Sequence, residues 1–107
     1  MADLIQIQTT TGSEADADRI ASVLLQKKLI ACVQISGPIR SRYVWNGVQE
    51  ESTEWMCHIK TLATNYTVVE AAIREVHTYD EPEIIAIPVS LASKGYADWV
   101  SRCVSET

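Results

Sequence analysis

The sequence predicts a single α+β domain, an antiparallel sheet backed by helices, from three observations. Two-residue and 3.6-residue hydrophobic periodicities alternate along the 107 residues, in the order strand, helix, strand, strand, helix, strand, with a short helix trailing. An Asn46-Gly47 dipeptide, the strongest short hairpin signal, joins the second strand to the third. No linker, repeat or low-complexity stretch interrupts the pattern, so residues 1–107 read as one domain.

Each element has its own justification. Residues 4–10 alternate, with Ile5, Ile7 and Thr9 on one face of a strand. Ser13, followed three residues later by Asp16, is a capping-box-like helix start. The helix after it puts Ala17, Ile20, Ala21, Leu24 and Leu25 on a buried stripe, with acids first and Lys27-Lys28 last, as a helix dipole favours. Leu29–Ser36 reads as the second strand, ending at Gly37-Pro38, and Ile39–Trp45 as an extended arm. A type I′ turn at Asn46-Gly47 sets Trp45 opposite Val48, Tyr43 opposite Glu50 and Arg42 opposite Glu51, and the return strand runs to Lys60. A second helix, capped by Thr64 or Asn65, buries Val69, Ala72, Ile73 and Val76 and stops near His77. Pro82 keeps Glu81 out of helical space in the polar loop 78–83. Ile84–Val89 is the fourth strand, and Pro88 within it marks a sheet edge or a bulge. A last helix after Gly95 buries Tyr96, Trp99, Val100 and Cys103. This order is the split βαβ, ferredoxin-like sandwich, with a long β-hairpin and a short C-terminal helix, in which the first and third strands are central.

Composition removes several classes. The net charge is −5 and the bases are scattered, so the chain lacks the concentrated basic face that nucleic acid or an anionic membrane requires. Cys32, Cys57 and Cys103, an odd and unpaired set, do not make a disulfide framework. No apolar run spans a bilayer and the start does not resemble a signal peptide, so the expectation is a soluble, cytoplasmic protein with free thiols.

Apolar residues fall on both faces of the sheet: Ile85, Ile87 and Val89 on one side of strand four, Ile84, Ala86 and Pro88 on the other. Both faces then need cover, and with no spare element in the chain another copy must supply it. The hairpin from Ile39 to Glu54 points the same way, because an isolated ribbon carrying Tyr43, Trp45 and Val48 is barely stable in water. A closed homo-oligomer is therefore expected.

Chemistry is thinner. No phosphate loop, Cys-x-x-Cys or catalytic triad can be assembled, and no enzyme is expected. The loop Thr9–Ser13 reads as helix capping, Cys32, Cys57 and Cys103 as packing, and His58 as a structural histidine. The segment His77–Glu83 differs: it gathers an imidazole, a phenol and acids, groups that bind divalent metals or cationic ligands, and a solvated acidic loop is the plain alternative.

Ala31-Cys32-Val33, Tyr43-x-Trp45-x-Gly47, Glu51, Lys60-Thr61, His77-x-Tyr79-x-x-Pro82-Glu83-Ile84, Pro88 and Tyr96-x-x-Trp99 together resemble the CutA divalent-cation tolerance proteins over essentially the whole chain. The resemblance implies a homotrimer similar to the PII signalling proteins, and copper or another divalent metal as ligand with no organic cofactor. It implies Cys32, His77 and Glu83 as metal residues, and Trp45, Glu51, Lys60 and Tyr79 as residues of an inter-subunit cleft. Thr9 departs from relatives that carry cysteine there, which argues against a multi-sulfur copper site. Two further readings stand beside this one: a PII-like module binding a small anion near Lys60, and a structural trimer acting through protein partners.

Overall fold

The computed structural model describes residues 3–104. Its first strand, β1 (Leu4–Thr11), is buried along most of its length because both its neighbours and the helices cover it. Ser13 Oγ then accepts from Asp16 N–H at 3.1 Å and starts α1 (Glu14–Gln26), as the capping pattern predicts. The helix ends in a Schellman motif. Lys28 takes the left-handed conformation (φ 57°), Leu29 N–H bonds Leu24 O at 3.3 Å, and Lys28 N–H bonds Leu25 O at 3.0 Å. The motif drops Leu29 into the core and leaves Leu25, predicted on the buried stripe, exposed.

The long hairpin follows: β2 (Cys32–Trp45) and β3 (Val48–Leu62). Asn46 and Gly47 both have positive φ, the type I′ signature, and the predicted pairs Trp45–Val48, Tyr43–Glu50 and Arg42–Glu51 all form. Two details of β2 differ from the sequence reading. It begins at Cys32, because Leu29–Ala31 are spent on the helix exit, and it does not end at Gly37-Pro38. The strand runs through that dipeptide with a register shift between Ser36 and Ile39, which is tolerated because β2 is an edge strand.

A 3-10 turn (Ala63–Asn65) leads into α2 (Tyr66–Val76), then come β4 (Ile85–Pro88) and α3 (Lys94–Cys103). Neither Thr64 nor Asn65 caps α2 with its side chain; Asn65 Nδ2 instead donates to Leu29 O at 3.2 Å, alongside Thr61 Oγ1 at 2.7 Å. The four-stranded sheet has order β2-β3-β1-β4, antiparallel throughout, with β1 and β3 central as predicted.

Alternation along the strands sends Ile5, Ile7, Cys57 and Ile59 into the main core, against Ala17, Ile20 and Leu24 of α1 and Val69, Ala72 and Ile73 of α2. The second face corrects the prediction. It is not left wholly to another copy, because α3 lies over one end of it, where Val100 and Val104 pack with Leu4, Ala31 and Leu62. Of the predicted stripe of α3 only Val100 is buried; Tyr96 and Trp99 stay exposed, and Cys103 is half-buried. Beyond α3 the face carries polar pairs, Gln6–Gln8 and Lys60–Gln34, flanked by Ile85 and Ile87 at 46% and 42% exposure. The hairpin projects past Thr11, where β1 stops pairing, and accounts for the long axis of the 44 × 26 × 21 Å molecule.

Candidate ligand cleft

The projecting hairpin creates the site. Ser41, Tyr43 and Trp45 alternate along β2 and so share one face. Opposite them the loop from Tyr79 to Glu83 leaves α2, and Thr10 and Glu54 line the space between. The cleft has a volume of about 710 Å³, within the range of small-molecule sites.

A relay of contacts fixes the loop. His77 turns to extended backbone (φ −72°, ψ 140°) and ends α2. Its Nδ1 accepts from Tyr79 N–H at 3.0 Å, so its Nε2 carries the proton and donates to Thr10 O at 2.8 Å. The Tyr79 ring packs on the imidazole at 5.0 Å between centroids. Its hydroxyl reaches across Gly12, where a Cβ would come within 3.2 Å, and donates to Glu54 Oε2 at 2.8 Å. Burial, then the bond to Glu54, pushes the Tyr79 phenol up to about 12, so it stays a neutral donor.

Glu54 is the unusual member. Only 7% exposed, it has Tyr79 as its partner and no cation beside it among the described residues. Asp80 and Glu83, exposed at the rim, likewise have no ion pair among the described residues. Two more charged side chains complete the lining: Glu81, 3.3 Å from Arg74, and Arg42, 3.7 Å from a Glu51 that it shares with Arg40. The lining thus holds four carboxylates, Glu54, Asp80, Glu81 and Glu83, and one guanidinium, Arg42, beside aromatic rings.

The structure gathers some of the sequence-predicted residues and separates others. Trp45, Tyr79 and Glu83 line the cleft, and His77 supports it from below. Glu51 lies on the opposite face of the ribbon with Arg40 (3.3 Å) and Arg42. Lys60 lies outside the cleft, its amine 3.4 Å from Gln34 Oε1. Cys32 pairs with Lys60, and Lys60 with Gln6, four residues along β1 from the Thr10 that His77 touches, a separation of about 13 Å. The Cys32 thiol instead meets Tyr96 OH at 3.6 Å; burial, then this contact, pushes that phenol up to about 12.

Cys32, His77 and Glu83 therefore do not converge within one chain, and no group of three His, Cys, Asp or Glu side chains fit for a metal ion occurs among the described residues. His58, expected to be a structural histidine, has its Nε2 2.9 Å from Ser36 Oγ. Cys57 is packing, its thiol raised to about 11 by burial and then by Asp18. The sequence reading missed Glu54, Tyr43 and Ser41 as cleft residues. The hairpin register held the signal for the latter two, since they alternate with Trp45 on its face.

Comparison with known proteins agrees with this architecture. The family model of the CutA1 divalent ion tolerance protein matches residues 5–103. The divalent-cation tolerance protein CutA of Archaeoglobus fulgidus is 39% identical over 98 residues, covering 92% of this chain and 95% of its own. Human protein CutA is 37% identical over 92% of this chain, which spans 54% of that longer protein. The crystal structure of the divalent ion tolerance protein CutA1 from Ehrlichia chaffeensis superposes with a TM-score of 0.93 at 35% identity, over 99% of both chains. The match over residues 5–103, the sheet order and the projecting hairpin together place this chain in the CutA1 divalent ion tolerance protein family.

Proposed function

We propose that the protein is a non-catalytic, cytoplasmic homotrimer that binds divalent metal ions, copper among them, at clefts between its subunits, without an organic cofactor, nucleic acid or membrane. The observation that carries this reading is the excess of carboxylates in the cleft, where Glu54, Asp80 and Glu83 make no ion pair among the described residues. Carboxylates so placed favour hard or borderline cations, and family membership supports a divalent one. A soft-metal site built from Cys32, His77 and Glu83 does not fit within one chain, and both nitrogens of His77 are occupied. The remaining ligands must come from a second copy. The exposed Ile85, Ile87, Val44 and Val48 supply apolar surface for such an assembly.

The alternative of an anionic ligand is disfavoured by the same charge balance, because four carboxylates outnumber the single Arg42 in the lining and Lys60 lies outside the cleft. The test is calorimetric titration of Cu(II) and Zn(II) into reduced protein of known sedimentation mass, repeated on Glu83→Gln, Cys32→Ala and His77→Ala. A trimer with saturable binding weakened tenfold or more by Glu83→Gln supports the reading. A folded monomer, or a trimer that takes no metal, sinks it and leaves a scaffold acting through protein partners.

A further inference from the structure

The chain has two asparagines, Asn46 and Asn65, and the fold places them in opposite states. Asn65 is 8% exposed and its Nδ2 donates to Leu29 O at 3.2 Å. The N–H of the next residue, Tyr66, is bonded to Ala63 O. Asn46 and Gly47 are exposed at the tip of the hairpin. Neither the Asn46 side chain nor the Gly47 N–H makes a hydrogen bond among the described residues. Nothing among those residues lies within 4 Å of where a Cβ on Gly47 would stand, so the Gly47 nitrogen is open on the side that a side chain would screen. Asn46 is held at φ 52°, a left-handed conformation that costs an L-residue energy, so rotation out of it is not opposed by local sterics. This dipeptide is also the one place in the sequence where glycine follows asparagine or aspartate.

We propose that Asn46 is a covalent modification site, converted by ring closure with Gly47 to aspartate and isoaspartate. The Gly47 nitrogen attacks Asn46 Cγ: an N–C bond forms, the Cγ–Nδ2 bond breaks, and ammonia leaves with the Gly47 proton. No electrons are exchanged. Water then adds to one of the two carbonyls of the cyclic imide, giving aspartate or, with the main chain rerouted through Cβ, isoaspartate. Glycine permits the step because it puts no Cβ beside the attacking nitrogen. Both products add a negative charge next to Trp45, which lines the cleft. They differ in what they do to the hairpin. Aspartate is accepted in this turn as asparagine is. Isoaspartate adds a main-chain methylene to a two-residue turn, which then no longer closes the Trp45–Val48 pair. The tip therefore ages into two forms, one that keeps this wall of the cleft and one that loosens it. The inference is independent of what the cleft binds.

The experiment incubates the native full-length protein in neutral buffer and follows the tryptic peptide 43–60, which holds Asn46 and no other asparagine, by mass spectrometry. Isoaspartate is scored by enzymatic methyl transfer from labelled S-adenosylmethionine. Conversion at Asn46 is expected at a rate within about thirtyfold of that in the urea-unfolded chain, equivalent to a local opening of about 2 kcal/mol. Both acids are expected among the products, with Asn65 unchanged. Gly47→Ala is expected to slow conversion roughly tenfold or more, in the native and the unfolded chain alike, since a methyl then screens the nitrogen. Native conversion slower than the thirtyfold limit, or equal conversion at Asn65, overturns the proposal. Indifference to Gly47→Ala does the same, because the Gly47 nitrogen is then not the nucleophile. Aspartate without isoaspartate means direct hydrolysis of the amide and overturns the ring closure. Should Gly47→Ala fail to fold, the comparison in urea decides.

Discussion

Tyr79→Phe removes one oxygen and tests whether the buried carboxylate of the cleft depends on the loop above it. In the native chain the phenol donates to Glu54 Oε2 at 2.8 Å, and Glu54 is only 7% exposed. A hydrogen bond to a charged group contributes about 1.5–3 kcal/mol, and the carboxylate left behind retains its desolvation cost. Tyr79 is itself 37% exposed, so water can replace part of the lost bond, and the lower end, about 1.5 kcal/mol, is expected. The same change in a Glu54→Leu background is expected to cost close to nothing, since both polar partners are then gone. Urea denaturation at one fixed protein concentration, run as a double-mutant cycle, reads a coupling of about 1 kcal/mol or more. Equal costs in the two backgrounds would refute the relay from His77 through Tyr79 to Glu54.

Three further outcomes follow from the packing. The Tyr79 phenol is higher folded (about 12) than unfolded (10), so its contribution is complete below pH 10 and lost as pH rises toward 12; the pH–stability curve of Tyr79→Phe should run flatter than wild type across that window. Gly37→Ala places a Cβ 2.5 Å from Trp55 Cδ1 at a backbone φ of +154°, and should lower stability by roughly 2–4 kcal/mol, with much of the loss recovered in a Trp55→Val background. Cys57, fully buried with its thiol near 11, should resist a thiol reagent at pH 8 in the native protein and react at once in urea; fast native labelling of Cys57 would contradict the core assignment.

What the sequence reveals divides along local and non-local lines. The hairpin register was legible because an Asn46-Gly47 turn leaves one pairing, and every pair beyond it follows by counting. The start of α1 and most of its stripe were legible for the same reason, since Ser13, Ala17, Ile20 and Leu24 act within one element. Gly37-Pro38 misled because a Gly-Pro pair usually ends a strand. Here an edge position spares the missing N–H, and Trp55, eighteen residues on, occupies the space that a side chain at 37 would fill. Asn65 misled in a similar way: a carbonyl from the α1 exit claimed its side chain before the helix N-terminus did. Glu54 sits in a run of polar residues, Gln49–Glu54, that reads as solvated. Its burial comes from a tyrosine in a loop 25 residues away, which no periodicity announces. Cys32 and His77 share a motif pattern yet lie at separate rows of the sheet, and only the register shows it.

The most direct test of the cleft as a cation site is one calorimetric comparison, titrating Zn(II) and then inorganic phosphate into wild type, Asp80→Asn/Glu83→Gln and Lys60→Ala. Cation heats that disappear in the rim pair, persist in Lys60→Ala and have no phosphate counterpart are the predicted result. Phosphate binding lost in Lys60→Ala, with cation heats indifferent to the rim pair, would contradict the account and move the functional site to the open face of the sheet beside Lys60.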